Sequence, residues 1–359
     1  MNKKIKLLLL ANFIPHYRLP ILNMLGEKYD FTIAHYGKLI DENEANFKQI
    51  KLTIKGINGL FFFKENIYKL AKQFDVVISL GELRVIPNIL LGLRKRRFGL
   101  IYWGIGVTAS YNHAFDSNSS IDRIRIWLMN KADSILFYSD YPIRKYVQKG
   151  VDEKKLFVAN NTVQVTEKVI IPYEKKHFLF VGTLYKQKKL NELLEAYKQY
   201  IQITDKILPL VIIGDGDEKV NILNWIKQEN LEDKIILTGQ INNQQTLKLY
   251  YQNSVACVSP GQAGLTVLNS MAYGVPFVTS ENAITGGEIF NVRNNENGFI
   301  YNGDTNELAG IMKKLAEDNE LTYKLSRNAQ NYYFNERNAE IMVKGFDDAI
   351  EYAFNVKKN

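Results

Sequence analysis

The segment Ser259-Pro-Gly-Gln-Ala-Gly-Leu-Thr-Val-Leu-Asn-Ser-Met-Ala-Tyr-Gly-Val-Pro-Phe-Val-Thr279 holds the densest grouping of residues suited to chemistry in the chain. It reads as the end of an apolar strand, a Gly-rich loop, a short helix from about Gly264 to Tyr273, and a further strand. Leu265, Leu268, Met271 and Ala272 fall on one helical face, and Thr266, Asn269 and Tyr273 fall off it. The first N–H groups of a helix lack intrahelical partners, point the same way and carry positive partial charge, so the loop at Gly264 suits a phosphate or diphosphate. Taken alone, the loop serves equally as an ordinary strand–loop–helix joint.

Other candidates are scattered along the chain. Lys188 stands in the basic run Lys186-Gln-Lys-Lys189, where it is either a solvated charge or a partner for an anion. Glu288, in Gly286-Gly-Glu-Ile289, either faces a ligand or caps a helix. In the first half, His16 and Arg18 lie in Pro15-His-Tyr-Arg-Leu-Pro20, Glu82 follows an apolar strand, and Trp103-Gly-Ile-Gly106 ends another. His113 is the imidazole nearest that last motif. Four separated histidines and the lone Cys257 give neither metal-ligand spacing nor a nucleophile–base pair, so no metal is expected.

The elements that must position these residues form two series. In the first, strands are predicted near Ile5–Ala11, Phe31–Tyr36, Val76–Leu80, Leu100–Trp103 and Ile135–Ser139. Helices are predicted near Leu19–Lys28, Ile67–Phe74, Ile86–Arg96 and Ile121–Asn130. In the second, strands fall near Phe178–Val181, Leu210–Ile213, Ile235–Thr238, Val255–Ser259, Phe277–Thr279 and Phe299–Tyr301, with helices between them. Three helices then close the chain, near Thr305–Asp318, Glu320–Tyr333 and Ala339–Val356. Continuously Val/Ile/Leu-rich strands alternating with helices mean parallel sheets covered on both faces, and two series mean two doubly wound α/β domains. The hinge is expected near Val165–Tyr173, where Pro172 and mixed polar residues break the pattern.

The run Gly264-Leu-Thr-Val-Leu-Asn-Ser-Met-Ala-Tyr-Gly-Val-Pro-Phe-Val resembles the nucleotide-sugar motif of GT-B glycosyltransferases, family 4-like, which include bacterial surface-polysaccharide enzymes. Phe178-Leu-Phe-Val-Gly-Thr-Leu-Tyr-Lys-Gln-Lys-Lys-Leu, Leu210-Val-Ile-Ile-Gly-Asp-Gly, Gly286-Gly-Glu-Ile and Asn297-Gly-Phe-Ile extend the resemblance over roughly residues 177–302. It implies two Rossmann-like domains facing a central crevice: residues 1–170 for the acceptor, 171–335 for the nucleotide sugar, and a final helix, 336–359, crossing back to the first domain. It implies a retaining, metal-independent transfer of a hexose or 6-deoxyhexose, with no cofactor, from a UDP- or GDP-linked donor to a lipid-linked surface glycan.

By the same resemblance the donor site comprises Gly182, Thr183, Lys188, Gly214, Gln240, Gln262, Ala263, Gly264, Leu265, Thr266, Asn269 and Glu288, with Lys188 and Glu288 in catalytic roles. His16, Arg18, Glu82, Trp103, Gly104 and His113 stand on the acceptor or sugar side. Three positions depart from the pattern. The family's paired glutamates align with Gly261 and Asn269, and its phosphate-binding arginine is Thr183; its lysine is kept as Lys188. An amide at 269 still bonds a ribose hydroxyl, without the charge-assisted part. The departures leave two rivals: a GT-B subunit that has lost catalysis and only binds, or a nucleotide-sugar epimerase of the same fold.

Composition bounds the rest. Of the 359 residues, 46% are hydrophobic and 23% charged, which are globular proportions. One cysteine allows no intrachain disulfide, so a reducing compartment fits and Cys257 reads as a buried structural thiol. Lys6 interrupts the apolar start, which reads as a first strand rather than a signal peptide. No apolar run approaches the ~18 residues needed to span a bilayer. The net charge of +8 is concentrated at Arg94-Lys-Arg-Arg97, after the apolar run from Ile86. It reads as a solvated helix end or as a contact with an anionic membrane surface, which would make the protein cytoplasmic and peripheral on the inner face of the plasma membrane. Nucleic acid is not expected, for want of repeated aromatic–basic interleaving.

Overall fold

The computed structural model describes residues 4–108, 115–117 and 121–358. Contacts divide the chain into two units, the first holding Met1–Thr108, Asp116–Gln164 and Ala339–Asn359, the second Phe115 and Val165–Asn338.

Strands of the first unit are β1 (Lys6–Ala11), β2 (Asp30–His35), β3 (Lys48–Lys51), β4 (Ile54–Ile57), β5 (Leu60–Phe63), β6 (Val76–Leu80), β7 (Gly99–Gly104), β8 (Ser134–Phe137) and β9 (Leu156–Val158). Its helices include α1 (Leu19–Lys28), α2 (Ile67–Ala71), α3 (Ile86–Leu93), α4 (Ile121–Met129) and α5 (Pro142–Gln148). Seven strands form one sheet in the order β3-β2-β1-β6-β7-β8-β9, every neighbouring pair parallel. The side chains alternate as a pleat requires. Leu7, Leu9, Ile78 and Ile101 pack on one face, while Leu8, Leu10, Val77 and Leu100 pack on the other against Leu91, Ile126, Met129 and Tyr146. Burial on both faces is why these strands read as unbroken apolar runs.

Several elements depart from expectation: β3, β9 and α5 lie outside the expected set, and α2 stops at Ala71 rather than Phe74. Helix α3 stops at Leu93 rather than Arg96, because Arg94 turns extended (φ −100°, ψ 150°). Strands β4 and β5 form an antiparallel hairpin that was not anticipated. Its turn is Asn58-Gly59 with φ of 49° and 76°, the left-handed pair of a type I′ turn.

The second unit contains β10 (His177–Val181), β11 (Leu210–Ile213), β12 (Ile235–Gly239), β13 (Ser254–Val258), the short β14 (Gln262–Ala263), β15 (Phe277–Ser280), the short β16 (Ile284–Thr285) and β17 (Gly298–Tyr301). Between and after them come α6 (Leu190–Ile203), α7 (Lys219–Gln228), α8 (Gln244–Gln252), α9 (Thr266–Ala272), α10 (Thr305–Glu317) and α11 (Asn319–Tyr332). The main sheet runs β12-β11-β10-β13-β15-β17, again parallel, and β14 pairs with β16. Phe178 and Phe180 share a core with Leu193, Leu194 and Tyr197 of α6 and Met312 and Leu315 of α10.

The chain then returns to the first unit as α12 (Ala339–Lys358), whose Met342, Phe346 and Ile350 pack in the same core as Leu7, Leu9 and α1. Gly345 permits this close approach: a Cβ there would lie 2.1 Å from the carbonyl oxygen of Val158.

Candidate functional site

In a doubly wound sheet the loops at the carboxyl ends of strands converge where the strand order reverses. In the second unit, β10 is followed by β11 and β12 on one side, and the chain then crosses to β13 on the other. The reversal point therefore lies between β10 and β13. The loops leaving them carry residues 182–189 and 259–265.

These two loops are bonded to each other. The Gly261 N–H donates to the Lys188 carbonyl at 3.2 Å, and the Tyr185 hydroxyl donates to Gln262 Oε1 at 2.6 Å. The first loop is held over β11 by Gly182 N–H to Ile213 O (3.0 Å) and Leu184 N–H to Asp215 O (2.9 Å). It closes with a 3-10 turn, Lys186–Lys188, and Lys189 in the left-handed region (φ 52°), from which α6 starts.

The turn carries Lys188 inward. It is 8% exposed and has no carboxylate partner among the described residues. Its Nζ lies 3.3 Å from where a Gly182 Cβ would stand and 5.6 Å from the Tyr185 ring centroid. Burial lowers the Lys188 pKa, because the ammonium has lost water; the nearby Cys257 acts weakly the other way. Cys257 is fully buried and its thiol is pushed up to about 12 by burial, so it is a packed, un-ionised neighbour rather than a counter-ion. A buried cation without an anion is costly, and an anionic ligand would relieve that cost.

Helix α9 begins at Thr266, two residues later than expected. Val267, Leu268, Ser270, Met271 and Ala272 are buried, whereas Leu265 is only half-buried, so Leu265 does not belong to the core face. Half-buried Thr266 and Asn269 stand one turn apart, and the Asn269 side chain has no hydrogen-bond partner among the described residues. Gly264 is open: a Cβ there would meet nothing nearer than Gln262 Nε2 at 4.0 Å. Gly261 is the opposite. A Cβ would stand 2.1 Å from the Gln187 oxygen and 2.6 Å from the Lys188 carbonyl carbon. The space a side chain at position 261 would need is thus filled by the backbone of the Lys188 turn.

Other members of the donor set are placed as follows. Glu288 is 8% exposed and its Oε2 accepts the Gly286 N–H at 2.9 Å, next to β16, which pairs with β14. Gly214, with φ 155°, has Gly182 O within 1.9 Å of a would-be Cβ, so it lets the two strand ends meet. Thr183 is exposed, and Ala263 is fully buried in the β14 pairing. Gln240 follows β12 at the sheet edge, is exposed, and donates through Nε2 to Asn242 Oδ1 at 2.9 Å.

The first unit has its own reversal point, between β1 and β6. Asn12 Nδ2 donates across it to Glu82 Oε2 at 2.9 Å. The 3-10 turn His16–Arg18 leaves His16 exposed and buries Arg18, which donates to Asn161 Oδ1 (2.8 Å) and the Tyr138 hydroxyl (3.2 Å) and lies 4.5 Å over the Trp103 ring. Trp103 is therefore corrected. It is 1% exposed and packs edge-on against Tyr138 and Phe346, so it supports Arg18 from the core rather than touching a ligand. Gly104 beside it has open space at its Cβ position. His113 lies outside the described residues. Asn161, Tyr138 and Tyr185 were missed in the sequence; only their proximity to Arg18 and Gln262 in space marks them.

Comparison with known proteins finds glycosyltransferases. Residues 164–332 match the family model for glycosyl transferases group 1. N-acetyl-alpha-D-glucosaminyl L-malate synthase of Bacillus anthracis is 23% identical over 202 residues, 56% of this chain and 51% of that protein, so the match spans about half its length. The N-acetylgalactosamine-N,N'-diacetylbacillosaminyl-diphospho-undecaprenol 4-alpha-N-acetylgalactosaminyltransferase of Campylobacter jejuni is 29% identical over 244 residues, 66% of this chain and 64% of that one. Among solved structures, Anabaena HepE in complex with UDP superposes with a TM-score of 0.72 at 16% identity, over 97% of this chain and all of that one. At that identity the likeness speaks for the fold.

Proposed function

We propose that the chain is a glycosyltransferase that moves a hexose or 6-deoxyhexose from a UDP- or GDP-linked donor to a lipid-linked bacterial surface glycan, with retention of configuration, a reading supported by the group 1 match over residues 164–332 and by the GT-B fold. The observation that carries this reading is Lys188: a buried ammonium without a carboxylate partner among the described residues, at the strand-order reversal, beside the open turn at Gly264. In such a transfer the anomeric C–O bond to the diphosphate breaks and a new C–O bond to the acceptor hydroxyl forms. The acceptor proton passes to the leaving diphosphate. Lys188 and the leading N–H groups of α9 meet the charge that grows on that leaving group. Asn269 faces the ribose, and Glu288 stands on the sugar side. The undecaprenol-linked acceptor named for the Campylobacter relative and the UDP bound by HepE favour this class of substrates. An acceptor of that kind places the protein at the inner face of the plasma membrane.

The test combines binding and turnover. Nucleoside diphosphates of the correct base should raise the melting temperature, since a ligand that binds only the folded state stabilises it. Lys188→Ala should lower the transfer rate by about 10²–10³, the scale for one preorganised donor to a developing charge, and change ground-state binding less. Binding without transfer or donor turnover, on any lipid-linked acceptor tried, would favour the inactive-subunit rival instead.

A further inference from the structure

The outer surface of α3 and α4 is unusual. Helix α4 turns Ile126 and Met129 inward yet leaves Ile124 57% and Trp127 53% exposed. Helix α3 buries Leu91 and leaves Leu90 and Leu93 exposed. The two helices meet at their ends: a Cβ on Gly92 would lie 3.1 Å from Lys131 Cβ, and Arg96 Nη2 donates to the Lys131 carbonyl at 2.8 Å. Four large apolar side chains thus sit on adjoining outer faces, where water is a poor neighbour for them.

Cations ring this patch. Arg94, Lys95, Arg97 and Lys131 are exposed and have no carboxylate partner among the described residues; Lys131 lies 4.8 Å over the Trp127 ring. Arg96 is the exception in the basic run. It is buried in an ion pair with Asp133 at 3.1 Å, so its role is structural. The same turn opens on its other side into a cavity of about 820 Å³, lined by the cations Lys72, Lys95, Arg97 and Lys358 over aromatic side chains. Tyr68 joins the two regions, with Lys72 at 4.6 Å and Arg94 at 5.1 Å from its ring. Asp75, the one carboxylate lining the cavity, already accepts the Lys6 N–H at 2.8 Å.

We propose that this surface docks on an anionic lipid bilayer, the apolar patch entering the headgroup–acyl boundary and the adjoining cavity taking a lipid phosphate. An apolar helix face bearing Trp and Leu beside Lys and Arg is the arrangement that lies in such an interface, and the uncompensated cations complement its negative potential. The proposal rests on the reading of a membrane-borne acceptor, but its test requires no acceptor and no turnover.

The test is flotation of the full chain with vesicles of equal parts phosphatidylcholine and phosphatidylglycerol, against phosphatidylcholine alone. Binding to the anionic vesicles should come with a blue shift of tryptophan emission. Trp127 is the reporter, since Trp103 is buried and Trp225 is half-buried and bonded to Glu195. The triple change Arg94→Ser, Lys95→Ser, Arg97→Ser should weaken partition on the order of a hundredfold, about fivefold per charge. Ile124→Ser with Trp127→Ser should weaken it by roughly tenfold or more. Lys188→Ala should leave flotation unchanged, so a failed transfer assay and a failed docking surface are told apart. Equal binding to both vesicles, or unchanged partition in either variant, overturns the proposal. So does stabilisation of Lys188→Ala protein by inorganic diphosphate, lost in the triple variant, without vesicle binding; the cavity would then serve a soluble phosphate.

Discussion

Gly261 offers the sharpest perturbation of the candidate donor site, because the structure sets the size of the effect. The motif that this segment resembles has a glutamate where Gly261 stands, so by that resemblance Gly261→Glu would be expected to add a contact. The geometry predicts the reverse. A Cβ would stand 2.1 Å from the Gln187 oxygen and 2.8 Å from the Lys188 oxygen, both backbone atoms. Relief to an ordinary contact needs a shift of roughly 1 Å in the turn that carries Lys188, and overpacking of this kind costs about 1–3 kcal/mol. The same shift breaks the Gly261 N–H bond to the Lys188 carbonyl, now 3.2 Å. A misplacement of about 1 Å costs on the order of 10²-fold in rate. Gly261→Ala should therefore lower kcat by about 10², and Gly261→Glu by at least as much. Because Gly261 acts through Lys188, adding Gly261→Ala to Lys188→Ala should cost little more, less than about threefold, the non-additivity expected of coupled residues. The assay is transfer or donor hydrolysis, with the melting temperature followed in parallel. Asn269→Glu is the contrast: its side chain is half-exposed and unbonded, so the longer carboxylate should leave the fold intact and keep or raise nucleotide affinity. If Gly261→Glu instead tightens nucleotide binding at unchanged stability, the turn yields freely and the reasoning is wrong.

Gly264→Val should leave the melting temperature nearly unchanged, there being open space at its Cβ, while weakening nucleotide binding; equal loss of both in a thermal-shift titration would count against a phosphate approaching there. Gly106→Ala should destabilise the protein in calorimetry whatever its activity, since φ is 80° and a Cβ would sit 2.6 Å from Phe137 Cε1. Lys175 is buried, donates to the Gln252 carbonyl at 2.9 Å, and is pulled down to about 7 by burial. The unfolded chain, with a lysine near 10.5, then binds more protons between pH 7 and 10, so stability should rise with pH across that window. Lys175→Met should flatten that rise in a melting-temperature series; an unchanged slope would assign the pH dependence elsewhere.

The fold was legible because burial on both sheet faces writes itself as continuous apolar strands, and β6 and β11 end where the run of Val, Ile and Leu ends. The hairpin went unread: Asn58-Gly59 between Ile57 and Leu60 is a turn signal, but the flanking residues Lys55 and Gly56 weaken the strand pattern around it. What could not be read is what tertiary distance decides. Arg96 looks like its three basic neighbours until Asp133, 37 residues later, turns it inward. Trp103 looks like a strand-end aromatic until α12 covers it with Phe346. Lys188 reads as one of three lysines in a solvated run, and only the 3-10 turn separates it from Lys186 and Lys189, which stay exposed.

The two units place a buried cation by the same local device, which gives the candidate sites a common origin in backbone geometry. In each, the first sheet strand ends, a loop runs to a 3-10 turn, and a helix follows: β1 to His16–Arg18 to α1, and β10 to Lys186–Lys188 to α6. Arg18 and Lys188 each close their turn and are each 8% exposed. Each turn lies at its own sheet's strand-order reversal. A 3-10 turn there swings its third side chain under the loop rather than into water, so burial follows from position in the turn more than from residue type. The partners then differentiate the two. Arg18 is fixed by Asn161, Tyr138 and the Trp103 face, a planar fork held by planar neighbours. Lys188 has the Tyr185 ring 5.6 Å from its ammonium and the un-ionised Cys257 nearby, and burial lowers its pKa. A point charge on a flexible stem, left without a carboxylate among the described residues, suits a leaving group whose charge appears during reaction; a clamped guanidinium suits a fixed anion or a structural hub. Arg18→Lys separates those two uses. As a hub, it should lower the melting temperature, because a single ammonium cannot replace the two guanidinium nitrogens that bond Tyr138 and Asn161 separately. As an anion site, it should raise the acceptor KM with stability largely kept.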